Sequence, residues 1–287
     1  MTSSICINMI SKELMNKYGA EYISSRSNPK IVSYSKLSDK KYRDESGMFL
    51  AEGVKLTAEA LTYSVVECIL ISERATVNDD RIFEIADTAR VKNVNIKLLS
   101  DTAFEKISTE RSPQGVIAVV NYMSDKHVTD NFNTWQEGRR LMMLDGIRDP
   151  GNLGTILRSA EALGINGVIL HDCADLYNNK TVRAAMGTLF RLSTYRTDNG
   201  AECVKTMRSI GRRVLGAALS NNVLTLGEYD TLETDCPVIG NEGHGISDKV
   251  LFECSACVKI PMAGETESLN AAQAAACILW EYRRTKN

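Results

Sequence analysis

Histidine, tryptophan and proline are scarce in this chain, with three, two and five copies among 287 residues. The shortage removes several site types at once. A structural zinc site needs four ligands; His127, His171 and His244 are far apart, and Cys254-Ser255-Ala256-Cys257 has no second pair to join it. No metal is therefore expected. The eight cysteines (Cys6, Cys68, Cys173, Cys203, Cys236, Cys254, Cys257, Cys277) lack framework spacing and mostly sit in apolar stretches, as buried or half-buried thiols do. No apolar run approaches the roughly 20 residues of a membrane helix. Met1 to Lys17 lacks a basic segment followed by a long apolar core, so no secretory leader is expected and the cytoplasm is the default location. Excess charge of one sign is missing too: the net charge is −2. Nucleic-acid binding through bulk positive charge is excluded, and the distribution of charge has to be examined instead.

That distribution is uneven. Arg26, Lys30, Lys36, Lys40, Lys41 and Arg43 face Asp39 alone between Ser24 and Arg43. Charge by itself leaves two readings open, a solvated arm or a patch that contacts phosphates. Hydrophobic residues make up 44% of the chain and charged ones 24%, the balance of a globular protein, and 287 residues allow two domains of ordinary size.

Strand-like and helix-like stretches alternate throughout. In the first part, Phe49–Glu52, Val65–Ile71, Asn95–Leu99 and Gly115–Val120 are apolar or β-branched runs, with helical patterns at Val54–Leu61 and about Asp80–Lys92. This predicts a compact α/β domain within residues 1–122. Residues 123–138 are polar, carry no apolar period and read as a linker. Residues 139–287 repeat the alternation. Strands are predicted at Arg140–Gly146, Gly167–His171, Leu192–Tyr195, Arg213–Ala218, Pro237–Gly240 and Cys257–Pro261. Helices are predicted at Leu153–Leu163, Lys180–Leu189, Ala201–Ile210, Ser247–Cys254 and Ala271–Arg284. Strands separated by helix-length segments predict a mostly parallel sheet covered on both faces.

Three blocks in the second part stand out. The first is Leu144-Asp145-Gly146-Ile147-Arg148-Asp149-Pro150-Gly151-Asn152-Leu153-Gly154-Thr155-Ile156-Leu157-Arg158, read as strand, turn and helix. It places Asn152 and Arg158 beyond a strand's carboxyl end, where open α/β sheets bind ligands. Helix capping accounts for Asn152 and a solvated face for Arg158, so neither residue alone demands a function. The second is Val238-Ile239-Gly240-Asn241-Glu242-Gly243-His244-Gly245, whose glycines allow close backbone approach. Its spacing differs from the dinucleotide fingerprint, which sets aside a nucleotide-dependent oxidoreductase. The third is Ile260-Pro261-Met262-Ala263-Gly264-Glu265-Thr266-Glu267-Ser268-Leu269-Asn270, ending in a capping-box arrangement of Asn270 and Gln273.

In that order, the three blocks resemble the SpoU (TrmH-like) family of RNA ribose 2′-O-methyltransferases, of the SPOUT superfamily. Phe49-Leu50-Ala51-Glu52-Gly53-Val54 and Arg111-Ser112-Pro113-Gln114-Gly115-Val116 look like the substrate-binding domain that precedes many such catalytic domains. The resemblance implies a trefoil knot in the second domain and S-adenosylmethionine as cofactor. It also implies methyl transfer to a ribose 2′-hydroxyl in structured RNA, with 23S ribosomal RNA favoured over tRNA. It makes Arg158, Asn152, Glu242, Ser268 and Asn270 catalytic-site residues, and puts Leu219, Ser220, Gly240, Ile260 and Leu269 around the cofactor. The basic residues from Arg26 to Arg43 become RNA contacts, and a homodimer through the second domain is expected. A non-catalytic RNA-binding protein on the same fold is the alternative, and the intact set of five polar residues argues against it.

Overall fold

The computed structural model describes residues 12, 14–75, 80–123, 126–127, 139–219, 223–266 and 268–284. They fall into two compact units. One comprises Met1–Met123 with Tyr177–Phe190, and the other Ser124–Leu176 with Arg191–Asn287.

The first unit is built on a five-stranded sheet: β1 (Glu21–Ile23), β2 (Met48–Glu52), β3 (Val66–Ser72), β4 (Asn95–Leu99) and β5 (Val116–Asn121), in spatial order β1-β4-β3-β5-β2. β1, β4 and β3 run parallel, whereas β5 is antiparallel to both neighbours. Val116 to Val120 are all fully buried, as a central strand covered on both faces requires. On one face Ile31, Tyr34, Leu37, Leu70, Phe104 and Val119 form a common core. β1 was not predicted: its three residues Glu-Tyr-Ile are too few to show a period.

The inclusion of Tyr177–Phe190 in this unit differs from the single boundary expected near residue 122. The reason is aromatic. Tyr177 stacks on Tyr122 with centroids 4.1 Å apart, and lies 4.7 Å from Phe49. Phe190 stacks on Phe49 at 6.2 Å. The helix predicted at Lys180–Leu189 is correspondingly interrupted: Asn179–Ala185 is helical, Met186 and Gly187 turn with φ of +50° and +92°, and Thr188–Phe190 forms a 3₁₀ turn. A Cβ at Gly187 would lie 2.8 Å from Glu59 Cγ, so this turn has no room for a side chain.

The second unit carries an eight-stranded sheet: β6 (Lys126–His127), β7 (Leu141–Asp145), β8 (Gly167–His171), β9 (Ser193–Thr197), β10 (Val214–Ala217), β11 (Val223–Thr225), β12 (Cys236–Gly240) and β13 (Ala256–Lys259). The order is β11-β13-β10-β12-β7-β8-β9-β6 and every pair is parallel. β6 lies inside the stretch expected to be a linker and pairs with β9. β7 and β12, side by side in the middle, are buried along their whole length. Their register puts Asp145 opposite both Gly240 and His171, so the carboxyl ends of β12, β7 and β8 are level. The helix Pro150–Ala162 after β7 packs against the C-terminal helix Ala271–Arg284.

A fragment beginning at residue 124 would keep Tyr177 and Phe190 but lose Phe49 and Tyr122. Each aromatic ring buries on the order of 150–250 Å². The fragment is expected to bind a hydrophobic dye and to unfold at least about 5 °C below the intact chain. Equal melting without dye binding would show that Tyr177–Phe190 has no need of the first unit's aromatics.

Candidate active site

The turn after β7 is set by Asp149, whose side chain accepts from the Asn152 amide N–H at 2.8 Å. Pro150 follows at the first helical position, where its missing N–H costs nothing. Capping, a sufficient account of Asn152 from sequence, is thus performed by Asp149, and the Asn152 side chain is left for other partners. Its Nδ2 donates to Glu242 Oε1 at 2.6 Å, and its Oδ1 accepts from Asn270 Nδ2 at 3.1 Å. Asn270 does cap its helix, through Oδ1 and the Ala272 N–H at 2.9 Å, with its amide still able to donate. One residue from each of the three sequence blocks therefore meets in a single chain of hydrogen bonds, Glu242–Asn152–Asn270.

That chain borders a cleft of about 310 Å³ lined by Leu219, Gly240, Glu242, Ile260, Ser268 and Leu269 among others. Four of the five expected cofactor residues lie there together; Ser220 is outside the described residues. The walls come from the carboxyl ends of β10, β12 and β13, the loops that follow them and the start of the C-terminal helix. Leu219 is 77% exposed at the rim. Gly240 contributes differently from expectation. A Cβ on it would lie 2.3 Å from Gly245 C and Ile246 N, so its missing side chain serves the folding-back of its own loop.

Arg158 lies six residues beyond Asn152, roughly 9 Å along the helix and on a different face. It is exposed and makes no hydrogen bond or ion pair among the described residues. Glu242 touches Asn152 and leaves the arginine unengaged. Ser268 lines the cleft without joining the hydrogen-bonded chain.

In the first unit, Arg26, Lys30, Lys36, Lys40 and Lys41 are exposed. Lys40 pairs with Asp44 at 2.5 Å and Lys36 lies 4.9 Å from the Tyr42 ring centroid. Arg43 must be withdrawn from this set. It is 1% exposed, and its guanidinium donates to the carbonyls of Leu37 and Ser38 at 2.8 and 2.9 Å, holding the preceding turn. Asp39, the lone acid of the run, caps the next helix through the Lys41 N–H at 2.9 Å.

Sequence reasoning missed three residues at this end of the sheet. Asp145 is 2% exposed; its carboxylate accepts from Ser247 N at 2.7 Å and lies 2.6 Å from His171 Nδ1. Asn241 donates through Nδ2 to the Gly146 carbonyl at 2.8 Å. Asp145 and Asn241 were visible within the first two blocks, but the resemblance singled out their neighbours. His171 carried no signal, because a lone histidine at a strand end is common. Burial would raise the Asp145 carboxyl, but hydrogen bonds from His171 and Ser247 outweigh it and hold it below the usual range. The bond to Asp145 raises His171 against its partial burial, with Asp172 and Asp198 adding to the effect. Burial pushes the Cys173 thiol up to about 12 and Cys254 likewise to about 12, so both stay protonated. Every described cysteine is free, and no cluster among the described residues is arranged to hold a metal ion.

Residues 139–280 match the family model for SpoU rRNA methylases, and residues 28–118 match the MRM3-like substrate-binding domain. The chain is 32% identical to the 23S rRNA (guanosine(2553)-2′-O)-methyltransferase RlmP of Bacillus subtilis, over 91% of this chain and 98% of that protein. It is 31% identical to the 23S rRNA (uridine(2479)-2′-O)-methyltransferase of Streptomyces viridochromogenes, over 87% of each. The AdoMet-bound rRNA methyltransferase of Sinorhizobium meliloti superimposes with a TM-score of 0.79 at 28% identity, over 93% of this chain and 99% of that one.

The Asp145–His171 pair predicts a pH window for stability. His171, raised above 6.5, contributes fully below that value and loses its contribution as pH rises through the folded pKa. Asp145, lowered below 3.8, contributes above that value and loses it as pH falls through the folded pKa. Replacing His171 by Phe should cost about 1–3 kcal/mol by leaving a buried carboxylate short of a donor. Urea unfolding should show a larger difference between wild type and variant at about pH 5.5 than at pH 8.5; an equal difference would refute the pairing.

Proposed function

The chain belongs to the SpoU rRNA methylase family, and from that premise we propose how its residues divide the work of methyl transfer. It is an S-adenosylmethionine-dependent enzyme that methylates a ribose 2′-hydroxyl of structured RNA, with 23S ribosomal RNA the substrate its relatives' names specify. The observation that carries the assignment of roles is the meeting of Asn152, Glu242 and Asn270 at the edge of the cleft formed by Leu219, Gly240, Ile260 and Leu269.

The cleft suits the cofactor chemically. Apolar side chains of Leu219, Ile260 and Leu269 offer contact to a purine and to the aliphatic part of the methionine chain, and Glu242 offers a carboxylate to its cationic groups. When bound, S-adenosylmethionine supplies an electrophilic methyl on a sulfonium, a good leaving group. The protein has to align the 2′-oxygen with that methyl and stabilise the charge that develops as the hydroxyl proton passes to solvent water. Asn152, held from both sides by Glu242 and Asn270, and Ser268 in the cleft wall are assigned to orient the ribose. A guanidinium is not suited to act as a general base, and Arg158 is given a different role. Its planar fork, unengaged among the described residues, suits the phosphate next to the target ribose and the developing alkoxide. Exposed Arg26, Lys30, Lys36, Lys40 and Lys41 contact RNA phosphates from the first unit, so that residues 1–122 serve substrate binding and 139–287 catalysis. The knot implied by the resemblance belongs to this proposal, as does a cytoplasmic location.

We also propose a homodimer through the second unit. The C-terminal helix leaves Gln273, Cys277 and Trp280 exposed along one stripe, with Trp280 at 58%. A large aromatic on such a stripe is the kind of surface that a two-fold interface covers.

With 23S ribosomal RNA and radiolabelled S-adenosylmethionine, Arg158→Ala should lower kcat by about a hundredfold or more while cofactor affinity stays within about threefold. Arg158→Lys should recover only part of the rate, because an ammonium cannot replace a bidentate fork. The product should resist alkaline cleavage at one linkage, as a blocked 2′-oxygen must. Near-normal turnover of Arg158→Ala at saturating RNA would remove the residue from the mechanism. Sedimentation equilibrium should give a mass near twice 31.7 kDa; a fully active monomer would refute the dimer.

A further inference from the structure

We infer that Asp145 is a positioning residue for the reaction: from the buried end of β7 it fixes the loop of residues 240–247, which forms one wall of the cofactor cleft and presents Glu242. The inference rests on the reading of that cleft as the cofactor site. Gly240, Asn241, Glu242, Gly243 and Gly245 all line the cleft, so the loop's path decides its shape.

Both ends of the loop are tied to one dipeptide. At the far end, the Ser247 N–H donates to Asp145 Oδ2 at 2.7 Å. At the near end, Asn241 Nδ2 donates to the carbonyl of the adjoining Gly146 at 2.8 Å. Asn241 also organises the interior: its Oδ1 accepts from the N–H groups of Gly243 and His244 at 2.8 and 3.1 Å. Gly146 is itself fixed from below, by its N–H to the His171 carbonyl at 2.9 Å. The dipeptide, and with it the loop, is therefore referenced to the level ends of β7, β8 and β12.

A carboxylate 2% exposed is costly unless hydrogen bonds and charge offset its lost hydration. Ser247 N and His171 Nδ1 supply that offset, so His171 acts on the loop through Asp145. Asp172 and Asp198 also support the proton affinity of that imidazole. Filling a core needs no charge, and leucine or methionine would do it more cheaply. A buried acid at this position, spent on Ser247 of the loop and one histidine, is explained by what it holds.

The test uses the full-length chain. Asp145→Asn removes the charge. Ser247→Pro removes the N–H and hydroxyl at a residue whose φ of −60° proline already matches. His171→Gln keeps a donor for Asp145 and His171→Phe does not. Cofactor affinity is measured by calorimetry, kcat and KM for RNA by methyl transfer, and folding by circular dichroism. Folded Asp145→Asn and Ser247→Pro should each bind S-adenosylmethionine about tenfold or more weakly and lose about tenfold or more in kcat, with KM for RNA within about threefold. His171→Gln should keep at least about a third of wild-type kcat, and His171→Phe should fall with Asp145→Asn. Should Asp145→Asn not fold, Ser247→Pro decides alone. Affinity and kcat within about twofold of wild type in either folded variant would overturn the inference. Glu242→Gln is assayed in parallel: full activity there would remove the role given to Glu242 and leave the affinity test of Asp145 standing.

Discussion

Residue 240 can carry no side chain, because a Cβ would sit 2.3 Å from the main chain of Gly245 and Ile246. That approach is closed by paired backbone bonds between Asn241 and Gly245 at 2.8 and 3.0 Å, with Gly245 at a φ of +70°. The loop therefore turns back on β12 within a few residues instead of projecting into solvent. Its tightness puts Glu242 beside Asn152 and the Ser247 N–H over Asp145. A looser loop would leave the first and second sequence blocks as neighbours in the sheet without joining them at its edge.

The forces holding the site differ sharply from the bonds that define it. Glu242–Asn152 and Asn152–Asn270 lie at exposed positions, where a hydrogen bond is worth about 1 kcal/mol net and competes with water. Such bonds choose among rotamers but cannot place a backbone. Placement comes from beneath, where Leu141, Met143, Ile169, Val214 and Val238 share one packed core under the strands whose ends carry the site. Each fully buried aliphatic side chain there contributes about 1.5–3 kcal/mol. The rigid layer fixes positions and the polar layer fixes orientation, which is the arrangement an in-line displacement requires.

Strand and helix alternation was legible wherever burial on both faces wrote continuous apolar runs, as in Leu141–Leu144 and Val168–Leu170. Elements short of a full period were not: β1, β11 and β6 hold three, three and two residues. The meeting of the three blocks was legible only through resemblance, since no local pattern says that residues 152, 242 and 270 converge. Capping was misassigned between Asp149 and Asn152 because either side chain can accept from a first-turn N–H, and geometry alone decides. Arg43 was misread for a related reason. A run of cations looks uniform in sequence, yet the turn ending at Ser38 exposes two carbonyls that one guanidinium can satisfy at once. The grouping of Tyr177–Phe190 with the first unit was hidden because its cause, the stacking on Tyr122 and Phe49, spans more than 50 residues.

Arg158 illustrates how an absence of partners can be informative. Other arginines of this unit are engaged: Arg148 with Asp172, Arg191 with Glu161 at 2.9 Å, Arg213 with Asp235 at 2.7 Å. An arginine locked in such a pair must break it before gripping a phosphate, which subtracts from affinity. Arg158 has no such bond to break among the described residues, and what binding must overcome is its rotamer entropy, about 2 kcal/mol. A bidentate, charge-assisted contact to a phosphate exceeds that only when the phosphate arrives in the right place. In the role proposed for Arg158, the grip depends on the register of the RNA and strengthens as the 2′-oxygen becomes anionic. On that proposal, discrimination between a correctly docked ribose and its neighbours follows from the same term that lowers the barrier.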